Sequence, residues 1–535
     1  MKDRVSLTDF LMYHKETHPI SFHMPGHKGR STLYGIYGFG DFVKNVVGND
    51  ITEIPGADAL QQPRERIKDI MEGYAGLYGA KHTELLVNGS SAGLMASILG
   101  SVPRGGKLLM GRNSHKSVYG ALRLGGIDPV YIMPEIDSET GLQLGLDPDK
   151  IETALIEDPG IKAVLVTSPN YYGVLSDIER IASIVHLHGR ILIVDQAHGA
   201  HLKFFDYLRS EDGLPHRAAE NCGADIVVDS THKTLLSFTG SAILNICTER
   251  PDVSRISELL RMLQTTSPSY LLMGSLDINQ QILRMDGYNL IKNWDADIKY
   301  FYQEAAQIAG LGLIDRIDLD ETKVSITMSA LGLSGPELAE ELEKRNIWVE
   351  LTHGDYVMLM TGLGNERGDY EDVLSALRDL SAHHGGRIQD VEPESTTSKT
   401  ESAAQNAAQK QAKNGAQAMA KNEAQVANKN ASQPVDKNAE LRTPSSDSAL
   451  IERLEQRKIP DTYEEIPLYS AEGRVLYESI IPYPPGTPIA CPGEVLSKSV
   501  ILYVRDQLVA QHVVLGVDEE GRVKVESDCV LFKEI

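Results

Sequence analysis

The chain has 535 residues, too many for one compact core, so about two to four domains are expected. Apolar residues make up 41% and charged residues 24%, ordinary values for a globular protein. A formal net charge of −23 argues against nucleic acid as the main partner, which needs a basic face, and is compatible with a small cationic substrate.

Residues 1–40 read as a structured N-terminal arm. Its motif Phe22-His23-Met24-Pro25-Gly26-His27-Lys28-Gly29 joins two histidines and a lysine to a Pro-Gly turn. A metal reading of His23 and His27 lacks partner ligands nearby. An irregular acidic loop, Asp50 to Leu60, precedes a helix over 64–78. Strands and helices then alternate. Apolar runs at 84–87, 107–110, 129–133, 163–167, 191–194, 224–228 and 240–246 predict strands, and they are near-continuous rather than alternating. Such strands belong to a mostly parallel sheet covered by helices on both faces. A long helical region reaches about residue 310, and residues 322–385 form a smaller α/β unit. There Ser334 is the expected N-cap of a helix. Residues 348–351 and 356–360 are expected to pair as a hairpin. From 391 to 448 almost no large apolar residue occurs, which predicts a disordered linker. Residues 449–535 are globular again, with the proline-rich turn Tyr483-Pro484-Pro485-Gly486-Thr487-Pro488. The four cysteines are scattered, which fits a reducing cytoplasm. The N-terminus is not a signal peptide, and no run reaches the ~18 apolar residues of a membrane span.

The polar residues Asn88, Arg112, Thr167, Asp195 and Ser230 each stand at the carboxyl end of a predicted strand, the edge where open α/β sheets bind ligands. Asn88 to Gly93 is a small-residue turn opening a helix, an anion cradle or an ordinary helix cap. His115 follows the next strand and reads either as a ring that stacks on a planar ligand or as a helix cap. Asp195 would be a costly lone carboxylate on a buried strand, so it needs a cation such as a protonated pyridine nitrogen. Ala197 lets a ring pack against it, and His198 could reach a phenolic oxygen. Lys233, after Ser230 and His232, is either a strand-end lysine snorkelling into water or a partly desolvated amine nucleophile. Together these are the parts needed to hold pyridoxal 5′-phosphate.

The motifs FHMPGHKG, NGSSAG, RNSHKS, TSPNYYG, DQAHGAH, DSTHK, TSPSY and PYPPGTPIACPGE resemble those of the Orn/Lys/Arg decarboxylases, which are fold-type I pyridoxal-phosphate enzymes of the aspartate-aminotransferase-like group. The resemblance spans nearly the whole chain apart from 391–448, and is to the shorter type without an N-terminal wing domain. It implies an α/β fold: a cofactor-binding large domain (41–285) with a mostly parallel sheet, a smaller α/β domain (286–390) and a C-terminal α+β domain (449–535). It implies Lys233 as the Schiff-base lysine, Asp195 on the ring nitrogen and His115 stacked on the ring. Ser90, Ser91, Ala92, Ser230 and His232 would hold the phosphate. Thr167 and His198 would lie near the phenolic oxygen, and Ser267 would come from the neighbouring subunit of a homodimer. Gln196 stands where the family usually has Glu, and Gly93 where Asn is common. The implied reaction is decarboxylation of lysine, arginine or ornithine to a polyamine or its precursor. Glu494, then Glu53, are the expected partners of the substrate's distal cation, each with the alternative of a solvated surface carboxylate. Transamination, with Arg345, Arg367 or Arg378 as carboxylate clamps, and a non-catalytic pyridoxal-phosphate or polyamine sensor are the rival readings.

Overall fold

The computed structural model describes residues 6–384, 454–460, 462–483, 486–509 and 513–527. The expected linker 391–448 lies outside the described residues, as do Pro484, Pro485 and Cys529.

In chain order the strands are β1 (Ile20–Phe22), β2 (His82–Leu86), β3 (Lys107–Gly111), β4 (Asp128–Ile132), β5 (Ile161–Thr167), β6 (Ile191–Asp195), β7 (Ile226–Asp229), β8 (Ala242–Ile246), β9 (Gly312–Leu313), β10 (Lys323–Thr327), β11 (Ile347–Val349), β12 (Leu351–His353), β13 (Tyr356–Met360), β14 (Tyr463–Pro467), β15 (Ile481–Tyr483), β16 (Val513–Leu515) and β17 (Arg522–Glu526). Seven form the main sheet, in the order β2-β8-β7-β6-β5-β3-β4. The block from β7 to β4 is parallel throughout, and only β8 runs against its neighbours.

The continuous apolar strands explain the layering. Alternate side chains point to opposite faces, and here both faces are buried. Leu108, Met110, Leu165, Ile193 and Val228 pack in one core, together with the helix Gly89–Ser101. Leu109, Val164, Val166, Leu192 and Val227 pack in the other, against the helices Pro148–Glu157 and Ile178–Leu187. The parallel strands thereby end at one common edge.

The helix expected over 64–78 starts at Arg66. The Asp58 carboxylate accepts the N–H groups of Arg64, Glu65 and Ile67, so the acidic loop supplies the cap. The second sheet has the order β12-β13-β10-β9. The expected hairpin is half right. β12 pairs with β13, but β11 turns away and lies parallel to β1, Ile20 opposite Ile347. Local pairing loses to the arm because Phe22 is fully buried against Tyr370, which a solvent-facing hairpin edge could not offer. Ser334 caps the helix Gly335–Glu343 in a capping box with Glu337. The C-terminal strands pair as β14-β17 and β15-β16 around their own core of Leu476, Leu496, Val504 and Val525. No helix among the described residues is long and apolar enough to cross a membrane.

Candidate active site

A cavity of about 380 Å³ opens at the carboxyl edge of the main sheet. Its walls include Ser90, Ser91, His115, Thr167, Asp195, Ala197, His198, Ser230, His232 and Lys233. Nine sheet-edge positions expected from sequence therefore converge with His198 on one space.

Lys233 lies in the single helical turn Thr231–Thr234, immediately after β7. Its amine meets Nε2 of His198 at 2.9 Å. Burial lowers its pKa and the Asp195 charge works the other way. Asp195 ends β6 and is 3% exposed. Its Oδ1 accepts the Ala197 N–H at 3.2 Å, and burial pushes its pKa up against the pull of Lys233. A carboxylate so placed gains most from a cation held beside it in the cavity.

His115 caps a helix and also stands on the cavity wall. Its Nδ1 accepts the Ser117 N–H as the cap of the helix Lys116–Gly125, and the ring also lines the cavity. Burial and the nearby Lys233 lower its pKa to about 3, so it presents a neutral ring face. His232 faces the Ser241 carbonyl through Nδ1 at 2.6 Å. The neutral ring must therefore carry its proton on Nδ1, leaving Nε2 a lone pair. Burial lowers its pKa to about 4. An anion beside it would have to supply the counter-charge that lets Nε2 take up a second proton.

Two buried hydroxyls, Ser230 Oγ and Thr167 Oγ1, have no hydrogen-bond partner. Both line the cavity and can donate to a bound group. No side chain caps the helix Gly89–Ser101; the Gly89 N–H donates to the Gly240 carbonyl at 2.8 Å, and the next N–H groups of the first turn remain available, flanked by the Ser90 and Ser91 hydroxyls. Ala92 is buried at 5% exposure and can offer only its backbone. Gly93, in place of the more usual Asn, has a packing reason: a Cβ there would meet Leu86 Cδ1 at 2.6 Å. Anion cradle, orphaned hydroxyls, buried carboxylate, neutral ring and amine match the donor set that pyridoxal phosphate requires.

Several expectations need correction. Glu494 is not a free acid. It is 2% exposed, and its carboxylate takes Arg112 Nη2 at 2.8 Å, Arg112 Nε at 3.2 Å and the Cys491 N–H at 2.8 Å. Buried, paired with Arg112 and outside the cavity wall, it is not placed to take a substrate cation. Arg112 is likewise absent from the cavity wall. It is spent on Glu494 and on the carbonyls of Pro488 and Ile489, which fastens the C-terminal unit to the sheet edge. That fastening brings Thr487 to the cavity. Glu53 and Ser267 are exposed and outside the cavity of their own chain. Gln196 bridges Glu220, Asp229 and the Ala219 N–H beneath the site. An amide there offers a donor to two carboxyls, which a Glu could do only when protonated.

Sequence reasoning missed Met24, Tyr171, Lys323, Glu350 and Thr487. Tyr171 and Met24 form part of the wall, and Glu350 sits behind them. Its carboxylate accepts the Tyr171 O–H and the Met24 N–H, both at 2.9 Å. Lys323, fully buried on β10, holds Nδ1 of His198 at 2.8 Å. Met24, Tyr171 and Thr487 lie in motifs whose resemblance implied no site role for them, whereas Lys323 and Glu350 lie in no such motif and come from the part of the chain that carries the second sheet. The FHMPGHKG arm also finds its role. Gly26 donates to the His232 carbonyl at 2.8 Å and packs too close to Thr234 and Leu235 for any side chain. The buried Lys28 amine binds the carbonyls of His23 and Met360. Among the described residues no acidic, cysteine or histidine cluster could hold a metal.

Comparison with known proteins places this geometry in context. Residues 5–317 match the family model "Orn/Lys/Arg decarboxylase, major domain", and residues 444–516 match "Orn/Lys/Arg decarboxylase, C-terminal domain". The arginine decarboxylase of Bacillus anthracis is 29% identical over 527 residues, covering 95% of this chain and 94% of that protein. The arginine decarboxylase of Bacillus subtilis (strain 168) is 30% identical over 521 residues, covering 95% and 94%. Among solved structures, lysine decarboxylase A from Pseudomonas aeruginosa aligns with TM-score 0.66 at 20% identity, covering 97% of this chain and 80% of that one. The constitutive lysine decarboxylase of E. coli aligns with TM-score 0.67 at 19% identity, covering 93% and 77%. The structural likeness establishes the fold-type I architecture.

Proposed function

The chain belongs to the Orn/Lys/Arg decarboxylase family and is an amino-acid decarboxylase, and from that premise we propose that it binds pyridoxal phosphate on Lys233 and decarboxylates a basic amino acid, arginine first, to a polyamine precursor. The observation that carries the cofactor assignment is the juxtaposition of buried Asp195, the Lys233 amine and the orphaned Ser230 and Thr167 hydroxyls on one cavity. Arginine is placed first because the relatives nearest 30% identity are named for it.

When bound, the cofactor supplies a protonated ring that accepts the electrons released as the Cα–carboxylate bond breaks. The protein's own part is electrostatic and positional. Asp195 keeps the proton on the ring nitrogen, and the raised pKa of its carboxyl falls once that cation is beside it. Lys233, whose pKa burial lowers, would hold the cofactor through its amine. His115 would offer the ring an uncharged face. Ser90, Ser91, the first turn of the helix Gly89–Ser101, Ser230 and a protonated His232 hold the phosphate. Glu350 replaces Glu494 and Glu53 as the acid for the substrate's distal cation, since only it stands against the cavity wall. The exposed Ser267 turn serves the cavity of a second subunit in a homodimer.

The transaminase reading has no support in the placement of its clamps. Arg345 pairs with Glu341, Arg367 with Asp297 and Arg378 with Glu304. A side-by-side assay of CO₂ release from arginine, lysine and ornithine tests the proposal. Turnover should be highest on arginine, and Glu350→Gln should raise KM about tenfold with a smaller change in kcat. Equal KM in that variant would remove Glu350 from substrate binding, and no CO₂ from any of the three would sink the substrate class.

A further inference from the structure

We propose that Lys323 is a positioning residue that acts through His198 to keep the Lys233 amine free of its proton. The inference rests on Lys233 being the nucleophile proposed above. Three side chains stand in line. Lys323 Nζ lies 2.8 Å from Nδ1 of His198, and Nε2 of the same ring lies 2.9 Å from Lys233 Nζ. His198 is 6% exposed and Lys323 is fully buried, so water does not compete for the bond between them.

The bonding capacity of each group fixes where the protons sit. Lys323 also donates to the Tyr171 carbonyl at 2.8 Å and, more weakly, to the Asn170 carbonyl at 3.4 Å. Two carbonyls and a ring nitrogen are the partners an ammonium group satisfies. With Lys323 charged, Nδ1 of His198 must accept. The neutral ring then carries its proton on Nε2 and donates it to Lys233, whose amine must accept with its lone pair. That is the nucleophilic form. The opposite arrangement has the same number of protons. A proton leaves Lys233 for Nε2 as the Nδ1 proton passes to Lys323, and no other reactant is required.

The hydrogen-bond partners favour the first arrangement, because Lys323 has two carbonyl acceptors besides the ring nitrogen. Lys323 feels the Asp320 carboxylate, which His201 and Thr322 hold in place, and the more distant Glu350. The Tyr171 ring lies 5.6 Å from its amine. His198 faces both lysines and the rings of His115 and His232, with the Tyr171 ring 4.8 Å away, and burial first, then the lysine charge, opposes its protonation. Lys233 faces Asp195 and Glu350, whose charges pull the other way and which the relay through His198 has to offset. Burial brings the pKa of Lys323 to about 7, so it can both hold and release a proton near neutrality.

The test uses the full-length chain stripped of cofactor. Lysines are labelled with trinitrobenzenesulfonate across the neutral to alkaline range, and the Lys233 peptide is quantified by mass spectrometry. In the wild type Lys233 should label at lower pH than surface lysines. Lys323→Met should raise the labelling midpoint by about one pH unit. Lys323→Arg keeps the charge and cannot surrender a proton, so the midpoint should stay at or below the wild-type value. In a His198→Phe background, Lys323→Met should add no further shift. An unchanged midpoint in Lys323→Met, a rise in Lys323→Arg, or an undiminished shift without His198 overturns the relay. If Lys323→Met does not fold by circular dichroism, Lys323→Arg decides alone. A wild-type Lys233 no more reactive than surface lysines would instead overturn the nucleophile assignment beneath it.

Discussion

At the scale of single residues the site is a collection of buried groups kept away from their ordinary charge. His27, His115 and His232 have pKa values of about 4, about 3 and about 4. Each is depressed below the free value, so the folded state favours the neutral ring. The unfolded chain then binds more protons below the unperturbed histidine pKa, and stability is lost as pH falls from about 6.5 toward 4. For His232 the loss reaches about 2 kcal/mol by pH 5. The cofactor-free protein should show a urea midpoint that drops between pH 7 and pH 5, and less steeply in His232→Gln. Inorganic phosphate should restore part of the wild-type loss, because it stabilises the protonated ring. An identical pH dependence in the variant would show that His232 carries no such linkage. Lys233, Asp195 and His115 were legible in the sequence because each follows an apolar run long enough to mark a buried strand. Lys323 and Glu350 were not. Lys323 opens a strand in a different sheet, and nothing in its neighbourhood distinguishes it from a solvated lysine.

At the scale of elements the strand order could be anticipated in kind but not in detail. Continuous apolar strands dictate a two-sided sheet, and the common carboxyl edge follows from parallel pairing. The swap of β11 from its expected hairpin to the N-terminal arm depends on a contact more than three hundred residues away in sequence, which periodicity does not encode. The same holds for Arg112 and Glu494, separated by 382 positions and both almost fully buried. Glu494 looked like a substrate ligand because its acidic turn carried the only obvious charge in the C-terminal motif. Its real partner removes it from the cavity and makes it a clamp. Breaking a buried ion pair by removing one member costs about 3–5 kcal/mol, since the other charge is stranded. Arg112→Met should therefore release the segment around Thr487. The expected signature is faster proteolysis near that residue and a raised KM, with the far-ultraviolet spectrum of the large unit preserved. Wild-type protease resistance in Arg112→Met would refute the clamp.

At the scale of the whole molecule, four parts converge on one cavity. The arm brings Met24, the main sheet brings Lys233, Asp195 and the orphaned hydroxyls, the second sheet brings Lys323 with Glu350 behind the wall, and the C-terminal unit brings Thr487. The exposed Ser267 turn, expected to serve the neighbouring subunit, lies outside the cavity of its own chain. The protein should sediment at twice the 58.7 kDa chain mass. A fully active monomer would remove Ser267 and the shared site from the account. The central claim remains the identity of the covalent anchor, and two buried lysines flank His198. Borohydride reduction of the cofactor-loaded enzyme, followed by peptide mass spectrometry, separates them directly. The account predicts the phosphopyridoxyl mass on the peptide bearing Lys233 and its loss in Lys233→Ala. The modification on Lys323, or on neither, would contradict it.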